Sequence, residues 1–598
     1  MFPEPLQYFK KNIRDNAEKL KILKKQTTWL AVSRILIFLT ALATLIYFIS
    51  TEIQSGIWLT ILISFPIYIY LYINHQKTNR KIQYHETLIS INKTEIKKLN
   101  GDFHDLDQGT EFMVEDHPYL KDLDIFGSNS AFQHLNGAST ENGRKLLADW
   151  LKYRSIKDEV HKRQEAVIEL CNDPDWFQKF RAKGMLDKET ENNDEDIVKF
   201  LSGFQDTTIT RKHIILWISL LVVMITGTIL VGINIIGVKV WITLLILNLL
   251  FLASIRSRIK TAYQSTRGAA SVFKTHFNRI VLIENHDVNS EKLNEIRNLL
   301  FSGITPASIA LKRLNRILSS LENMGNQMYQ IMNIFMILDM AILFNVDKWT
   351  RMYSVHLENW LMAIYETEAL ISLAGYTFAH PDYSFPQISE DNFTLQGTEL
   401  GHPLIHPDKR ICNDFSFSGS GNVAIITGSN MAGKSTFLRT IGLNMVLGLS
   451  GAPVCATSMT IPDILVFTSM RTEDNLEKNI SSFYAELERI RQLLDHTSQE
   501  TVLFLLDEIL KGTNSQDRHA GAISLIRQLK QTNSFGLVST HDVDLARQMR
   551  NDKLIANYSF DSQIDGEQIL FDFKLKEGIC QNFNASQLMK KMGIKVDG

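Results

Sequence analysis

One stretch of this 598-residue chain has the composition of a phosphate-binding loop: Gly428-Ser429-Asn430-Met431-Ala432-Gly433-Lys434-Ser435, followed by Thr436. It fits the pattern G-x-x-x-x-G-K-[ST], whose glycines let the backbone curl so that N–H groups point at phosphate oxygens. The β-branched run at residues 423–427 leads in, and Phe437-Leu438-Arg439-Thr440-Ile441 continues with helical spacing. The positive N-terminal end of that helix adds to the cradle. Lys434 is placed to reach the β- and γ-phosphates of ATP, and the Ser435 hydroxyl to hold Mg²⁺. A second apolar strand pattern, residues 501–506, ends in Asp507-Glu508. Asp507 suits the Mg²⁺ shell, and Glu508 suits orienting or deprotonating an attacking water. A third strand pattern, residues 535–540, delivers His541, which can contact a γ-phosphate. A chance glycine-lysine turn, acids that solubilise a strand end and a capping histidine are the bland readings of each feature alone. In this order they point together to ATP hydrolysis.

The same residues carry a family resemblance. Asn430-Met431-Ala432-Gly433-Lys434-Ser435-Thr436 resembles the phosphate loop of the MutS DNA mismatch-repair proteins. Asp507-Glu508 through Gly512-Thr513 to Asp517 is similar to the family's acidic segment, and Ser539-Thr540-His541 to its Thr-His switch. Ser481-Ser482-Phe483 with Glu486 resembles its Ser-Thr-Phe-x-x-Glu loop, and Gly401-His402-Pro403 the opening of its ATPase domain. The resemblance implies an α/β P-loop ATPase domain of the ABC/MutS type, C-terminal to an α-helical core and lever. It also implies that Ser481 and Ser482 complete the nucleotide site of a second copy, giving a homodimer through the ATPase heads.

What positions these residues is read from the rest of the chain. A Lys-rich N-terminal segment, 1–28, precedes two apolar runs within residues 29–75, separated by the turn Thr51-Glu52-Ile53-Gln54-Ser55. A second apolar pair occupies residues 213–255, broken at Gly232, Asn234 and Gly237. Each run approaches the roughly 20 residues that cross a bilayer. A second span following at once argues against a cleaved leader. Lys24 and Lys25, then Lys77, Arg80 and Lys81, then Arg211 and Lys212, then Arg256, Arg258 and Lys260 flank the runs on one side. The positive-inside rule then places both termini and the ATPase in the cytoplasm of a multi-pass inner or plasma membrane protein. Residues 76–120 are expected as a linker, 121–212 as core helices, 256–395 as lever-like helices and 396–598 as the ATPase domain. Asp122-Leu123-Asp124-Ile125-Phe126-Gly127 and Thr140 to Leu151 resemble the opening of the MutS core, and the segment from Gly578 to Ile594 its closing helix.

A formal net charge of −2 announces no global basic field for nucleic acid, and four scattered cysteines give neither a disulfide framework nor a zinc pattern. Phe2-Pro3-Glu4 has the letters of the family's mismatch-reading Phe-x-Glu without a domain around it, so the usual wedge into DNA is not expected. Arg256, Arg258, Lys260, Arg267, Lys274, Arg279, Lys292, Arg297, Lys312, Arg313 and Arg316 make a cation-rich helical stretch. That stretch could track DNA phosphates or lie near anionic lipid. By the resemblance, the chain acts in DNA mismatch, damage or structure handling. The alternatives are an ABC-like transporter or mechanotransmitter, or an ATP-switched membrane scaffold without DNA. Leu449-Ser450-Gly451 follows the P-loop helix rather than preceding Asp507, which speaks against an ABC signature.

Overall fold

A computed structural model describes residues 4–186, 209–266, 269–301, 303, 305–322, 326–471, 482–565 and 568–580. Phe2 and Pro3, Arg267, Ser481 and most of the expected closing helix lie outside them. The chain opens with α1 (Pro5–Ser50) and α2 (Gln54–Leu99), an antiparallel pair of 46 residues each. Their apolar halves present side chains outward: Leu39, Leu62 and Ile63 are more than half exposed. Both helices continue well past the apolar runs, so residues 76–99 are helical rather than the expected linker. Polar cross-pairs hold this part together: Lys24 to Glu86 at 2.8 Å and the His85 ring to Asn16 at 2.7 Å. The base of α2 then docks on the core, where Asn92 donates to Gln178 at 2.9 Å and Arg181 pairs with Glu95 at 2.7 Å.

Short helices α3 (Ala131–Leu135), α4 (Glu141–Lys152), α5 (Lys157–Cys171) and α6 (Pro174–Met185) build the core. Ser130, Thr140 and Asp173 cap α3, α4 and α6 by accepting from a backbone N–H of the first turn. The second apolar hairpin is α7 (Arg211–Gly232) and α8 (Val238–Thr266). Helices α9 (Ala269–Glu284), α10 (Glu291–Leu299) and α11 (Ala307–Glu322) come next, then α12 (Gln327–Met336) and α13 (Leu338–Ala379). Among the described residues, four helices are long and apolar enough to cross a membrane: α1, α2, α7 and residues 238–260 of α8. At 42 residues α13 is about 63 Å long, enough to join the hairpin end of the molecule to its ATPase-like end.

The C-terminal region is mixed α/β. A four-stranded sheet has the order β1 (Gln387–Ile388), β5 (Ser458–Ile461), β2 (Thr394–Leu400), β3 (Asn413–Ser418). The larger sheet has six strands: β10 (Gln568–Glu577), β9 (Ile555–Asp565), β4 (Val423–Gly428), β8 (Ser534–Thr540), β7 (Val502–Asp507) and β6 (Leu465–Ser469). All neighbours are parallel except β9 and β10. The central strands are buried along their length, which is why they read as unbroken apolar runs. Helices α14 (Lys434–Ser450), α15 (Ser482–Gln499), α16 (Ser515–Leu529) and α17 (Val543–Gln548) cover the sheet.

The loop before α3 bolts this domain to the core. Asp122 accepts from Thr468 Oγ1 at 2.8 Å and from the backbone N–H groups of Met470 and Arg471, each at 3.0 Å. Asp124 holds Arg471 through two bonds, at 2.8 and 2.9 Å, and Arg439 of α14 at 3.3 Å. Asp122→Ala strands the buried Met470 N–H, worth about 1–3 kcal/mol, so the thermal midpoint of the chain should fall. Calorimetry showing an unchanged midpoint would count against this joint.

Candidate functional site

The site forms where three parallel strands end on one edge of the large sheet. β8 lies between β4 and β7, so the loops after all three converge. After β4 the chain turns through Met431 and Gly433, both in the left-handed region with φ of 69° and 107°, before α14 begins at Lys434. A side chain at 433 would be strained, and one at Gly428 would meet the Phe560 carbonyl oxygen at 2.7 Å. Lys434 is buried, and its Nζ donates to the carbonyl oxygens of Gly428 and Ser429 at 2.9 and 3.0 Å. Burial lowers its pKa, while Glu508 and Asp507 nearby work to raise it. The Ser429 hydroxyl is buried without a hydrogen-bond partner among the described residues. A loop with a buried ammonium, an unpaired hydroxyl and a helix N-terminus is a fit for phosphate oxygens.

At the end of β7, Asp507 accepts a hydrogen bond from Ser539 Oγ of β8. Glu508 comes next with φ of 51°, its N–H donating to the Ser539 carbonyl at 3.0 Å. Strain of this kind persists only where neighbours hold it. Its carboxylate lies 3.7 Å from His541 Nδ1 and 3.4 Å from Lys511 Nζ. The nearby His541 ring, with Lys511 adding to it, brings the Glu508 pKa down to about 2, so this carboxyl is ionised at neutral pH. An ionised carboxylate beside a buried lysine and a phosphate-shaped loop can orient water toward a bound phosphate. Ser435 in the first turn of α14 and Asp507 at the end of β7 are hard oxygen donors on this same edge, which suits Mg²⁺ with a nucleotide.

The structure therefore brings together Lys434, Asp507, Glu508 and His541, as their spacing implies. Ser482 begins α15 and Ser481 is outside the described residues, so only the Ser482 end of the expected serine loop is placed. Phe483 packs over Gly512, where an added Cβ would come within 2.6 Å of the Phe483 Cβ. The buried Glu486 carboxylate accepts from the Leu510 N–H at 2.5 Å. The acidic loop is thus supported by α15 of its own chain. Leu449-Ser450-Gly451 is the buried C-terminal end of α14, closed by Gly451 at φ of 96°, and not an exposed signature loop.

Sequence reasoning missed an adjoining apolar pocket. His402, Ile405, Ile411, Phe437 and Phe573 line it beside Gly433 and Thr436, a place a flat base could occupy. Its walls come from β10 and the loop between β2 and β3, so only the His402-Pro403 motif hinted at it. The cation-rich stretch is also revised. Arg279 is 1% exposed and ion-paired to Glu368, and Lys292 pairs with Glu159 and Glu366, each at 3.0 Å. Those two cations hold the core and are withdrawn from any phosphate-tracking face. Lys312, Arg313 and Arg316 remain on the outside of α11.

Comparison with known proteins agrees with this geometry. Residues 424–595 match the family model MutS domain V. The DNA mismatch repair protein MutS of Chlorobium chlorochromatii is 32% identical over 239 residues, which are 39% of this chain and 27% of that protein. Endonuclease MutS2 of Levilactobacillus brevis is 30% identical over 211 residues, 35% of this chain and 26% of that one. Endonuclease MutS2 of Bacillus velezensis is 25% identical over 257 residues, 42% of this chain and 32% of that protein. The chain thus spans between 26% and 32% of the length of these relatives.

Proposed function

We propose, on the premise that this chain belongs to the MutS family through the domain V at its C-terminal end, that it is a membrane-anchored, ATP-driven switch. The observation that carries the reading is the meeting of Lys434, Asp507, Glu508 and His541 on one sheet edge, around a loop shaped for phosphate. Gly428 to Thr436 would cradle the ATP phosphates, with Ser435 and Asp507 holding Mg²⁺, which neutralises developing phosphate charge. Glu508 would position the attacking water, and His541 would keep Glu508 ionised and sense the γ-phosphate. Two heads would pair, the serine loop of each copy reaching the nucleotide of the other.

The relatives' names speak of mismatch repair and of an endonuclease, and DNA handling is the process proposed here. It rests on them and on the exposed cations of α11. The apolar halves of α1, α2, α7 and α8 support the bilayer as the second partner, with the ATPase domain on the cytoplasmic side of an inner or plasma membrane. The Asp122 and Asp124 contacts support a mechanical route, because Arg439 ties the P-loop helix directly to the core. In detergent, salt-sensitive binding of duplex, mismatched or branched DNA that changes with ATP is the expected result. No binding at low salt would leave an ATPase and remove the DNA reading. A chain that stays monomeric with ATP in the Glu508→Gln variant would remove the paired heads.

A further inference from the structure

Residues 327–346 are mostly apolar, with Gln327, Gln330, Asn333, Asp339 and Asn345 interspersed, and helical spacing alone would run α12 and α13 together as one lever helix. They are instead two helices, meeting at 83° around Ile337. Ile337 is fully buried and left-handed, at φ of 50°, a conformation that costs a β-branched residue dearly. The break therefore needs support from its surroundings, and neighbouring helices supply it. The open carbonyls at the end of α12 are met by the second hairpin. Asn248 of α8 donates to Ile334 at 3.1 Å and Phe335 at 3.3 Å, and Trp217 Nε1 of α7 to Met336 at 3.4 Å. On the other side, the Asp339 N–H donates to Asn333 Oδ1 at 2.9 Å. The Asp339 carboxylate accepts from Tyr329 Oη and Asn333 Nδ2, both at 2.7 Å.

A kink in a water-exposed helix can leave such groups to solvent. Irregular backbone inside a bilayer is tolerated only where protein satisfies it. Asn248 sets the depth: it is 1% exposed and lies ten residues (248 − 238) into α8, about 15 Å along a span that must cross about 30 Å of hydrocarbon. The Trp241 ring, nearer the outer end of α8, lies 5.9 Å from the Phe335 ring. Meanwhile Trp349 of α13 donates to the Ala310 carbonyl of α11, so the chain before α12 and the chain after the break lie on the same side. Ile331, Met332 and Met336 are exposed by 52%, 47% and 40%.

We infer that residues 327–346 are a re-entrant membrane segment, seated on the α7–α8 hairpin at half depth and covered elsewhere by lipid acyl chains. The inference rests on the membrane reading above and goes beyond it. The rod α13 then starts within the bilayer, with Asp339 as an ionisable group held there by Tyr329 and Asn333. Labelling with a charged, membrane-impermeant maleimide tests this in vesicles whose cytoplasmic face is outward. The positions are Ile331→Cys, Met332→Cys, Leu39→Cys, Ile63→Cys and Val355→Cys, with labelling of the native cysteines subtracted and retained ATPase activity as the check of folding. Val355, 83% exposed further down α13, should label readily. Positions 331, 332, 39 and 63 should label at least about tenfold more slowly, as expected for groups shielded by hydrocarbon. Rapid labelling at 331 and 332 with protection at 39 and 63 would overturn the re-entrant segment and leave the anchor standing. Rapid labelling at all four would overturn the membrane reading itself.

Discussion

Glu508→Gln should leave ATP bound and slow phosphate release by roughly 10²–10⁴-fold, the usual worth of a positioned acid–base group. The amide keeps the shape of the side chain and its place beside His541, but it can neither carry charge nor accept a proton. Lys434→Ala should fail earlier, at binding, because the ammonium that now donates to Gly428 and Ser429 is the one poised to turn onto phosphate. The two variants are separable by nucleotide retention on a filter, followed by phosphate release in a single turnover. The sign of the pH dependence comes from Glu508. With its pKa held at about 2 it is already ionised throughout the neutral range, and that favourable term is lost only in acid, as pH falls below the usual carboxylate range of about 4 toward 2. The kcat/KM profile, which reports the free enzyme, should therefore show no acid limb from Glu508 between pH 6 and 8. Undiminished hydrolysis in both variants would reject the assignment of the site.

The site was legible because phosphate chemistry forces short, local patterns. A glycine loop must follow a strand and open a helix, and acids and a histidine must sit at neighbouring strand ends. Apolar runs announce bilayer-length helices for an equally local reason. What was not legible depends on partners distant in sequence. Residues 76–99 look like a linker because their side chains are polar, yet those polar groups find partners on α1 and α6, as Asn92 does with Gln178. Arg279 and Lys292 read as part of a solvated cationic face because the acids that neutralise them, Glu368, Glu159 and Glu366, are far along the chain. The break at Ile337 is hidden because helical periodicity passes through it, and the groups that make it tolerable belong to α7 and α8. Asp122 and Asp124 look like the start of a core domain, and their other role, gripping Arg439 and Arg471 of the ATPase domain, has no local mark.

Glu368→Ala should be the most damaging substitution outside the nucleotide site, costing about 3–5 kcal/mol, because it leaves a buried guanidinium without its counter-charge. Glu368 sits on α13 where that rod crosses the start of α4. Its carboxylate accepts from Ser139 N and Oγ, at 3.1 and 2.6 Å, and from Thr140 N at 3.3 Å and Thr140 Oγ1. Arg279 of α9 reaches the same group at 3.0 Å. Burial works to raise this carboxyl's pKa, but Arg279 and the hydroxyl and backbone donors outweigh it, and the net direction is down. The stability it contributes is present above the unfolded value near about 4.3 and is lost as pH falls through the lower folded one. Thermal unfolding of the detergent-solubilised chain at neutral pH should show the loss. The double variant Glu368→Leu with Arg279→Met should recover most of it, since an apolar pair of similar size leaves no orphaned charge. A single variant as stable as the parent would mean that α13 is not fixed to the core at this point.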